Sequence, residues 1–200
     1  MGGIDVNTML EVNGIKGCFA VGECSNAKIH GANRLGGNSL LEITAFGKFA
    51  GENACKHAIF AKSTPADDAQ LQKDKANIEQ LYSQECSINF YEEREKLGQL
   101  FYDQVGIVRD NDKLNQALHE VITMQVALSK MGIEDQAKTH NQNLIEFLEF
   151  SNALLLAPTV ISSAIARDES RGAHFKRGFE TEDDERFKKH IVLQWNKDTQ

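Results

Sequence analysis

Glycine is unevenly distributed along the chain, and this distribution predicts two kinds of structure. Ten of the 15 glycines lie in residues 1–62, whereas residues 66–200 hold only five. Glycine weakens helices and permits turns and close backbone approaches, so the first part is predicted to contain loops and short strands. The second part carries apolar residues at helical spacing and is predicted to be a helical bundle. Ser63-Thr64-Pro65 is typical of a short connecting segment between two such parts.

The glycine-rich part is predicted to contain one strand and one long helix. Residues 15–23 form an apolar run that ends at a glycine and a carboxylate, which is typical of a short buried strand. Asn38 or Ser39 can cap a helix that runs to about Ile59. Because apolar residues occur on most sides of this helix, we expect it to be buried.

Apolar spacing predicts four helices in the second part and a strand near its end. The predicted helices lie near residues 71–81, 90–105, 114–128 and 139–169. Pro158 should bend the last of these helices, since proline removes a backbone donor. The strand is predicted at residues 191–195.

Composition narrows the classes of function. The net charge of −7 argues against a nucleic-acid partner, which would favour a basic surface. No uninterrupted apolar run reaches the roughly 18–20 residues of a membrane span. None of the four cysteines lies in a C-x-x-C pair, so zinc and iron–sulfur sites are disfavoured and no metal site is predicted. We interpret the cysteines as reduced thiols.

The stretch from residue 30 to residue 42, H-G-A-N-R-L-G-G-N-S-L-L-E, carries the clearest chemistry. A glycine-flanked loop presents Arg34, whose planar guanidinium suits bidentate binding of a carboxylate. The loop then opens a helix, whose first backbone N–H groups form an anion site. Gly36 and Gly37 permit a bulky ligand to approach the backbone. The alternative is that the glycines only make a turn and Arg34 forms a surface salt bridge.

The same stretch, preceded by G-x-F-A-V-G-E-C, resembles the late FAD-binding segment of the succinate dehydrogenase and fumarate reductase flavoproteins. The opening M-G-G-I and the run E-S-R-G-A-H-F at residues 169–175 are also similar to motifs of that family, in the family's order. Residues 183–190 resemble the pattern that comes next in that family. L-aspartate oxidase is a close relative, but its loop usually reads N-R-M-A-S-N-S, so L-G-G at residues 35–37 disfavours it.

The resemblance implies roles for five residues of this segment. Glu23 matches the glutamate that binds the ribose part of FAD. Arg34 matches the arginine that holds a carboxylate of the dicarboxylate substrate beside the flavin. Ser39 and Leu40 match residues whose backbone meets the isoalloxazine ring, and Asn38 lies among them.

Three further residues have less defined roles. The family's principal substrate histidine lies just before the M-G-G segment, so His30 is interpreted as a positioning residue near the flavin. Arg171 and His174 are left open between a functional role and a structural pair bonded to loop carbonyls. No catalytic residue is therefore assigned within this chain.

The implied fold class is α+β. Residues 1–62 would be the end of an FAD-binding domain and residues 66–132 a three-helix bundle. Residues 133–200 would continue the helical domain with a long helix and end in a tail with a short strand. The chain lacks a G-x-G-x-x-G motif, so the dinucleotide-binding βαβ unit is expected in an N-terminal half that this sequence does not contain. The expected explanations are a truncated or split gene product, or a deliberate fragment.

The implied reaction is the interconversion of succinate and fumarate with FAD. The implied partners are the rest of the flavoprotein, an iron–sulfur subunit and a membrane anchor, at the cytoplasmic face of the membrane. The fragment alone is expected to be inactive. A competing hypothesis is that residues 66–200 form a non-catalytic interaction module and that the glycine loop is vestigial.

Overall fold

The computed structural model describes residues 2–62 and 67–195, which fall into two compact units. The connecting segment predicted at Ser63-Thr64-Pro65 lies outside the described residues. The division of the chain at residues 62 and 132 remains a prediction.

The first unit holds two short strands and one long helix. Strand β1 (Ile4–Asp5) pairs in parallel with β2 (Ser25–Asn26), and helix α1 spans Asn38–Phe60. Its small core consists of five buried residues: Val6, Leu10, Val12, Ala20 and Ala50. The Asn53 side chain, buried in α1, donates to the carbonyl of Met9 at 3.0 Å and so ties the helix to the N-terminal segment.

The strand predicted at residues 15–23 is wrong. Within it the structure shows a single antiparallel bridge, from Phe19 to Glu11, and then a 3₁₀ turn at Gly22–Cys24. Gly17 and Gly22 have φ values of +76° and +80°. This left-handed backbone interrupts an extended strand, and the apolar periodicity of the run does not reveal it.

Helix α1 begins and ends close to the predicted bounds, but the expectation that it is buried is wrong. Only Glu42, Ala50 and Asn53 are buried along its 23 residues. Phe46 is partly buried against the core, but six other large apolar side chains are exposed: Leu40, Leu41, Ile43, Phe49, Ile59 and Phe60. The five-residue core of the first unit is too small to cover more than one face of such a helix.

The second unit is helical. Its longer helices are α2 (Asp68–Ser83), α3 (Phe90–Leu100), α4 (Asn111–Ala127) and α5 (Gln142–Ala166). A π-helical turn (Phe101–Val105) follows α3, and a 3₁₀ turn (Leu128–Lys130) follows α4. Asparagine or aspartate side chains accept first-turn N–H groups at the start of all four helices, which explains where each begins.

The core of the second unit is shared by α3, α4 and α5. Its fully buried members include Leu114 and Val121 of α4 and Leu154 and Ile161 of α5. Helix α2 has no buried residue and covers this core only with partly buried side chains near its end. Helix α5 therefore shares one core with α3 and α4.

Proline lies inside α5, and a neighbouring helix compensates for it. Pro158 has no N–H to donate to the carbonyl of Leu154, four residues earlier. The Gln125 side chain of α4 donates to that carbonyl at 2.7 Å. The hydrogen bond that the proline removes is thus replaced by one that joins α4 to α5.

The tail of the second unit differs from the prediction. Strand β4 (Phe175–Lys176) pairs in parallel with β3 (Val108–Arg109), and a short helix, α6, spans Asp184–Phe187. Residues 191–195, predicted to be a strand, are not in one. The short strand of the tail is β4 instead, because β3, in the connection between α3 and α4, pairs with it.

Helix α5 also meets the length and composition expected of a membrane-crossing helix, with a mean hydropathy of 1.5 over its most apolar window. The uninterrupted-run criterion missed it because Pro158 and single polar residues divide the apolar stretch. Its Phe147, Phe150 and Leu154 side chains lie in the core of the second unit, which is the position of a core helix. The four cysteines are exposed free thiols.

Candidate functional site

Two glycines shape the segment from β2 to α1. At Gly22, a Cβ atom would lie 2.6 Å from Cγ2 of Ile43, so only glycine lets the turn that carries Glu23 approach α1. At Gly37, φ is +83° and the residue occupies the N-cap of α1. Glycine brings no side chain to this cap, and the first turn of α1 contains no acidic residue. The exposed start of α1 therefore keeps its partial positive charge available.

Arg34 and Glu23 form an ion pair across this segment. Nη2 of Arg34 donates to Oε1 of Glu23 at 3.2 Å. The two side chains differ in exposure, with 71% of Glu23 and 22% of Arg34 accessible to solvent. Because the Glu23 side of the pair is so exposed, this ion pair contributes little to stability.

His30 and Glu42 form a second pair, more deeply placed. Nε2 of His30 lies 2.6 Å from Oε2 of Glu42, and 15% and 5% of the two side chains are exposed. Glu42 is in the second turn of α1, so this contact fastens the start of the loop to the helix that follows it. Glu42 was not among the predicted site residues, although it is the last residue of the motif that was singled out.

A shallow surface cavity, open to solvent, brings much of the predicted site together. Glu23, His30 and Arg34 line it, together with Glu42 and Lys28. Lys28 is held by Asp5, at 2.8 Å. Three of the six predicted site residues therefore share one cavity wall.

The other three predicted residues lie at the start of α1 and do not line this cavity. Asn38 and Ser39 are half-buried and Leu40 is exposed. The N–H of Asn38 donates to the carbonyl of Leu35 at 3.2 Å. As members of the first helical turn, Ser39 and Leu40 have N–H groups without a partner within the helix.

A second cluster of charged side chains lies in the other unit, around Glu169. This side chain is fully buried and accepts hydrogen bonds from Arg167, from Arg171 and from the N–H of Asp183. Burial alone would raise the pKa of this carboxyl, but these donors outweigh it and lower the pKa from 4.5 to about 2. Arg171 also contacts Glu182 and Asp184, so it is held entirely by carboxylates.

His174 is held as a neutral imidazole. Nη1 of Arg109 lies against Nδ1 of His174, and the carbonyl of Arg167 lies 3.1 Å from Nε2. A guanidinium can only donate, so Nδ1 must accept and Nε2 carries the proton. Burial lowers the pKa of His174, and the charge of Arg109 acts in the same direction. In this structure Arg171 and His174 belong to a buried network that braces the tail.

Lys176 completes this network. It is fully buried, and Nζ donates to the carbonyls of Ala164 and Ile165 and to Oδ1 of Asp168. The lysine thus satisfies carbonyls at the C-terminus of α5, where the helix dipole favours a positive charge. The same contact lowers the pKa of Asp168.

Comparison with known proteins agrees with the arrangement of motifs. The family described as fumarate reductase flavoprotein C-term matches residues 94–200, more than half of the chain. The chain belongs to this flavoprotein family. The family described as FAD binding domain matches residues 1–40, which include Glu23, His30 and Arg34.

Individual relatives extend over nearly the whole chain. The fumarate reductase flavoprotein subunit of Haemophilus influenzae is 36% identical over 198 residues, which are 98% of this chain and 33% of that protein. The succinate dehydrogenase flavoprotein subunit of Bacillus subtilis is 36% identical over 202 residues, with coverage of 96% and 34%. The chain therefore spans about a third of the length of these relatives.

Solved structures give the same result for the fold. A quinol fumarate reductase of Escherichia coli superimposes with a TM-score of 0.88 at 34% identity, over 92% of this chain and 32% of that one. A Mycobacterium smegmatis Sdh1 complex gives 0.83 at 29% identity, over 90% and 30%. The predicted family and the predicted α+β, mainly helical C-terminal portion of a flavoprotein are confirmed. The roles of individual site residues remain predictions.

Proposed function

We propose that this chain is the C-terminal part of the flavoprotein subunit of a succinate dehydrogenase or fumarate reductase, which interconverts succinate and fumarate. The observation that carries the proposal is the contact of Arg34 with Glu23 on one cavity wall, beside the start of α1. These are the two residues that the family resemblance assigns to the substrate carboxylate and to the ribose part of FAD.

FAD is the cofactor of this family, and the residues present fit it at two points. The backbone at Gly36 and Gly37 is open, since none of the described atoms lies within 4 Å of where a Cβ would stand on either residue. A flat ring system can therefore reach the first turn of α1, where Ser39 and Leu40 offer N–H groups. The exposed Glu23 carboxylate can accept hydrogen bonds from ribose hydroxyls. Bound FAD would accept or return the hydride of the reaction.

Arg34 would hold the dicarboxylate. Its guanidinium offers two parallel N–H donors to a carboxylate, and this fork fixes the direction of the substrate as well as its position. Its present partner, Glu23, is itself a carboxylate, so the structure already holds the guanidinium against the kind of group that it would bind. A charge-assisted contact of this kind contributes about 2–4 kcal/mol when water is excluded.

The relatives are about three times as long as this chain, and the remaining two thirds of the subunit would supply the rest of the active site. Electrons would pass to an iron–sulfur subunit and a membrane anchor. The subunit would then lie at the cytoplasmic face of the membrane, held there by its partners. The physiological direction depends on redox potentials that these residues do not set.

The proposal is tested by Arg34→Lys in the full-length flavoprotein, with Arg94→Lys on α3 as the matched control. Lysine keeps the charge but loses the fork, so turnover with succinate should fall by well over tenfold, within the roughly 30- to 1000-fold range of such a contact. Flavin content and melting temperature should stay at the parent values.

Near-normal turnover and succinate affinity in Arg34→Lys would contradict the role of Arg34 in binding substrate. A parallel fall of flavin content, stability and activity would instead show that Arg34 only braces the loop. If the full-length protein does not bind FAD at all, the interaction-module hypothesis is favoured over an oxidoreductase.

A further inference from the structure

Glu42 is unusual in its surroundings. In the described part of the first unit it is the only buried carboxylate, with 5% of its side chain exposed. Moving a carboxylate from water into the protein interior costs roughly several kcal/mol unless a partner compensates for the lost hydration. His30 is that partner, at 2.6 Å. The pair joins the start of the loop to the helix that follows it.

Lys28, near the start of the loop between β2 and α1, is held by Asp5, and residues 30–37 of the loop are fastened by two further side-chain contacts. One joins Arg34 to Glu23, and the other joins His30 to Glu42. The other hydrogen bonds found within residues 30–38 are local, from Arg34 N to Oδ1 of Asn33 and from Asn38 N to the carbonyl of Leu35. The position of Arg34 therefore depends on these two contacts.

If the proposed function is correct, ligand binding breaks one of these two contacts and leaves the other in place. FAD would engage Glu23 and the dicarboxylate would engage Arg34, so the contact between them is exchanged for contacts to ligands. His30 and Glu42 keep each other, because Glu42 is buried on the helix side of the cavity. Theirs is the contact that still holds the loop once the site is filled.

We infer that Glu42 and His30 form a positioning pair that holds the Arg34 loop in the orientation required to bind the dicarboxylate. Neither residue is a catalytic residue, since both act through the loop. An ionised carboxylate can only accept, so Glu42 also selects the ring form that carries a proton on Nε2. Glu42 thus fixes both the position and the tautomer of His30.

The kinetic test uses the full-length holoenzyme with succinate. Glu42→Leu removes the acceptor, whereas Glu42→Gln keeps an acceptor oxygen and the size of the side chain. Glu52→Gln is the matched control, because Glu52 is an exposed acid of the same helix. A small displacement of a substrate-binding group can cost up to about 100-fold. We therefore expect Glu42→Leu to raise KM for succinate and to lower kcat/KM by about ten- to 100-fold.

Flavin content and melting temperature separate positioning from folding. The inference requires that Glu42→Gln recovers most of kcat/KM and that Glu42→Leu retains stoichiometric FAD. It is overturned if Glu42→Leu has parent kinetics. It is equally overturned if flavin content and melting temperature fall in step with kcat/KM and Glu42→Gln restores none of them.

A measurement on the 200-residue chain itself does not depend on activity. Nitrogen-15 NMR of the six histidines, with His30→Gln used to assign the signal, reports the tautomer of the His30 ring. We expect a proton on Nε2 in the parent chain and in Glu42→Gln, and loss of this preference in Glu42→Leu. A ring protonated on Nδ1 alone in the parent chain would overturn the inference.

Failure of the inference can be told from failure of the proposed function. If Arg34→Lys leaves turnover unchanged, the proposed function fails, whatever the state of the His30 ring. If Arg34→Lys impairs turnover while Glu42→Leu has parent kinetics, only the positioning role is wrong.

Discussion

Replacing Glu169 by glutamine should destabilise the second unit in a way that depends on pH. The buried carboxylate has a pKa of about 2, against an ordinary value of 4.5. At about 1.4 kcal/mol for each pH unit, this difference corresponds to about 3 kcal/mol of stability at neutral pH. Between pH 4.5 and pH 2 the unfolded chain binds more protons than the native one, so this contribution is lost as the pH falls through that window.

Glu182→Gln provides a matched control. Glu182 contacts the same Arg171, at 3.3 Å, but 59% of its side chain is exposed. An exposed pair contributes about 1 kcal/mol or less, so this variant should be close to the parent chain at every pH. The comparison therefore separates burial from the loss of one negative charge near Arg171.

The assay is urea unfolding of the 200-residue chain, followed by far-ultraviolet circular dichroism from pH 7 down to pH 2.5. The free energy of unfolding of Glu169→Gln should lie about 3 kcal/mol below that of the parent at pH 7. The two should converge as the pH falls below 4.5. The reasoning is refuted if Glu169→Gln costs no more than Glu182→Gln, or if the difference stays constant across the range.

Three further predictions concern folding and cofactor binding. The isolated chain should show no stoichiometric flavin spectrum after addition of FAD and no dye reduction with succinate, since the expected dinucleotide-binding motif is absent from its sequence. Gln125→Leu should lower the free energy of unfolding by about 1–3 kcal/mol, because it leaves the buried carbonyl of Leu154 without a donor. The control Gln116→Leu, at an exposed position of the same helix, should lower the free energy of unfolding by less. In circular-dichroism melts, a fragment of residues 67–195 should unfold cooperatively and one of residues 67–132 should not, because α5 fills the shared core.

Local sequence predicted the helices of the second unit well because their determinants are local. Asn89, Asp110 and Asn141 each precede a helix and each accepts a first-turn N–H. Apolar spacing then fixes which face is buried. The same signals could not show that α5 shares the core with α3 and α4, since this depends on which helix faces meet.

The strand predicted at residues 15–23 failed for a different reason. A short apolar run indicates a buried segment, but it does not show the handedness of the backbone. Gly17 and Gly22 adopt left-handed conformations, and a side chain on Gly17 would meet the His57 ring at 2.8 Å. These glycines allow the segment to turn towards α1, and only the tertiary structure shows that they do so.

Sequence separation distinguishes the side-chain contacts of the first unit from those of the second. The ion pair of Arg34 with Glu23 spans 11 residues and the contact of His30 with Glu42 spans 12, so both lie within the short segment of residues 23–42. The contact of Arg109 with His174 spans 65 residues.

Long-range contacts of this kind depend on how β3, β4 and the end of α5 meet, which no local pattern specifies. For this reason the sequence alone could not decide whether Arg171 and His174 have a functional or a structural role. Only the folded structure shows that they belong to a structural network. The first unit shows the opposite case. There residues 23–42 contain both Glu23 and Arg34, which are predicted to contact ligands, and the His30–Glu42 pair, which is inferred to position Arg34. We therefore expect a substitution in this segment to alter ligand binding while the rest of the fold is kept.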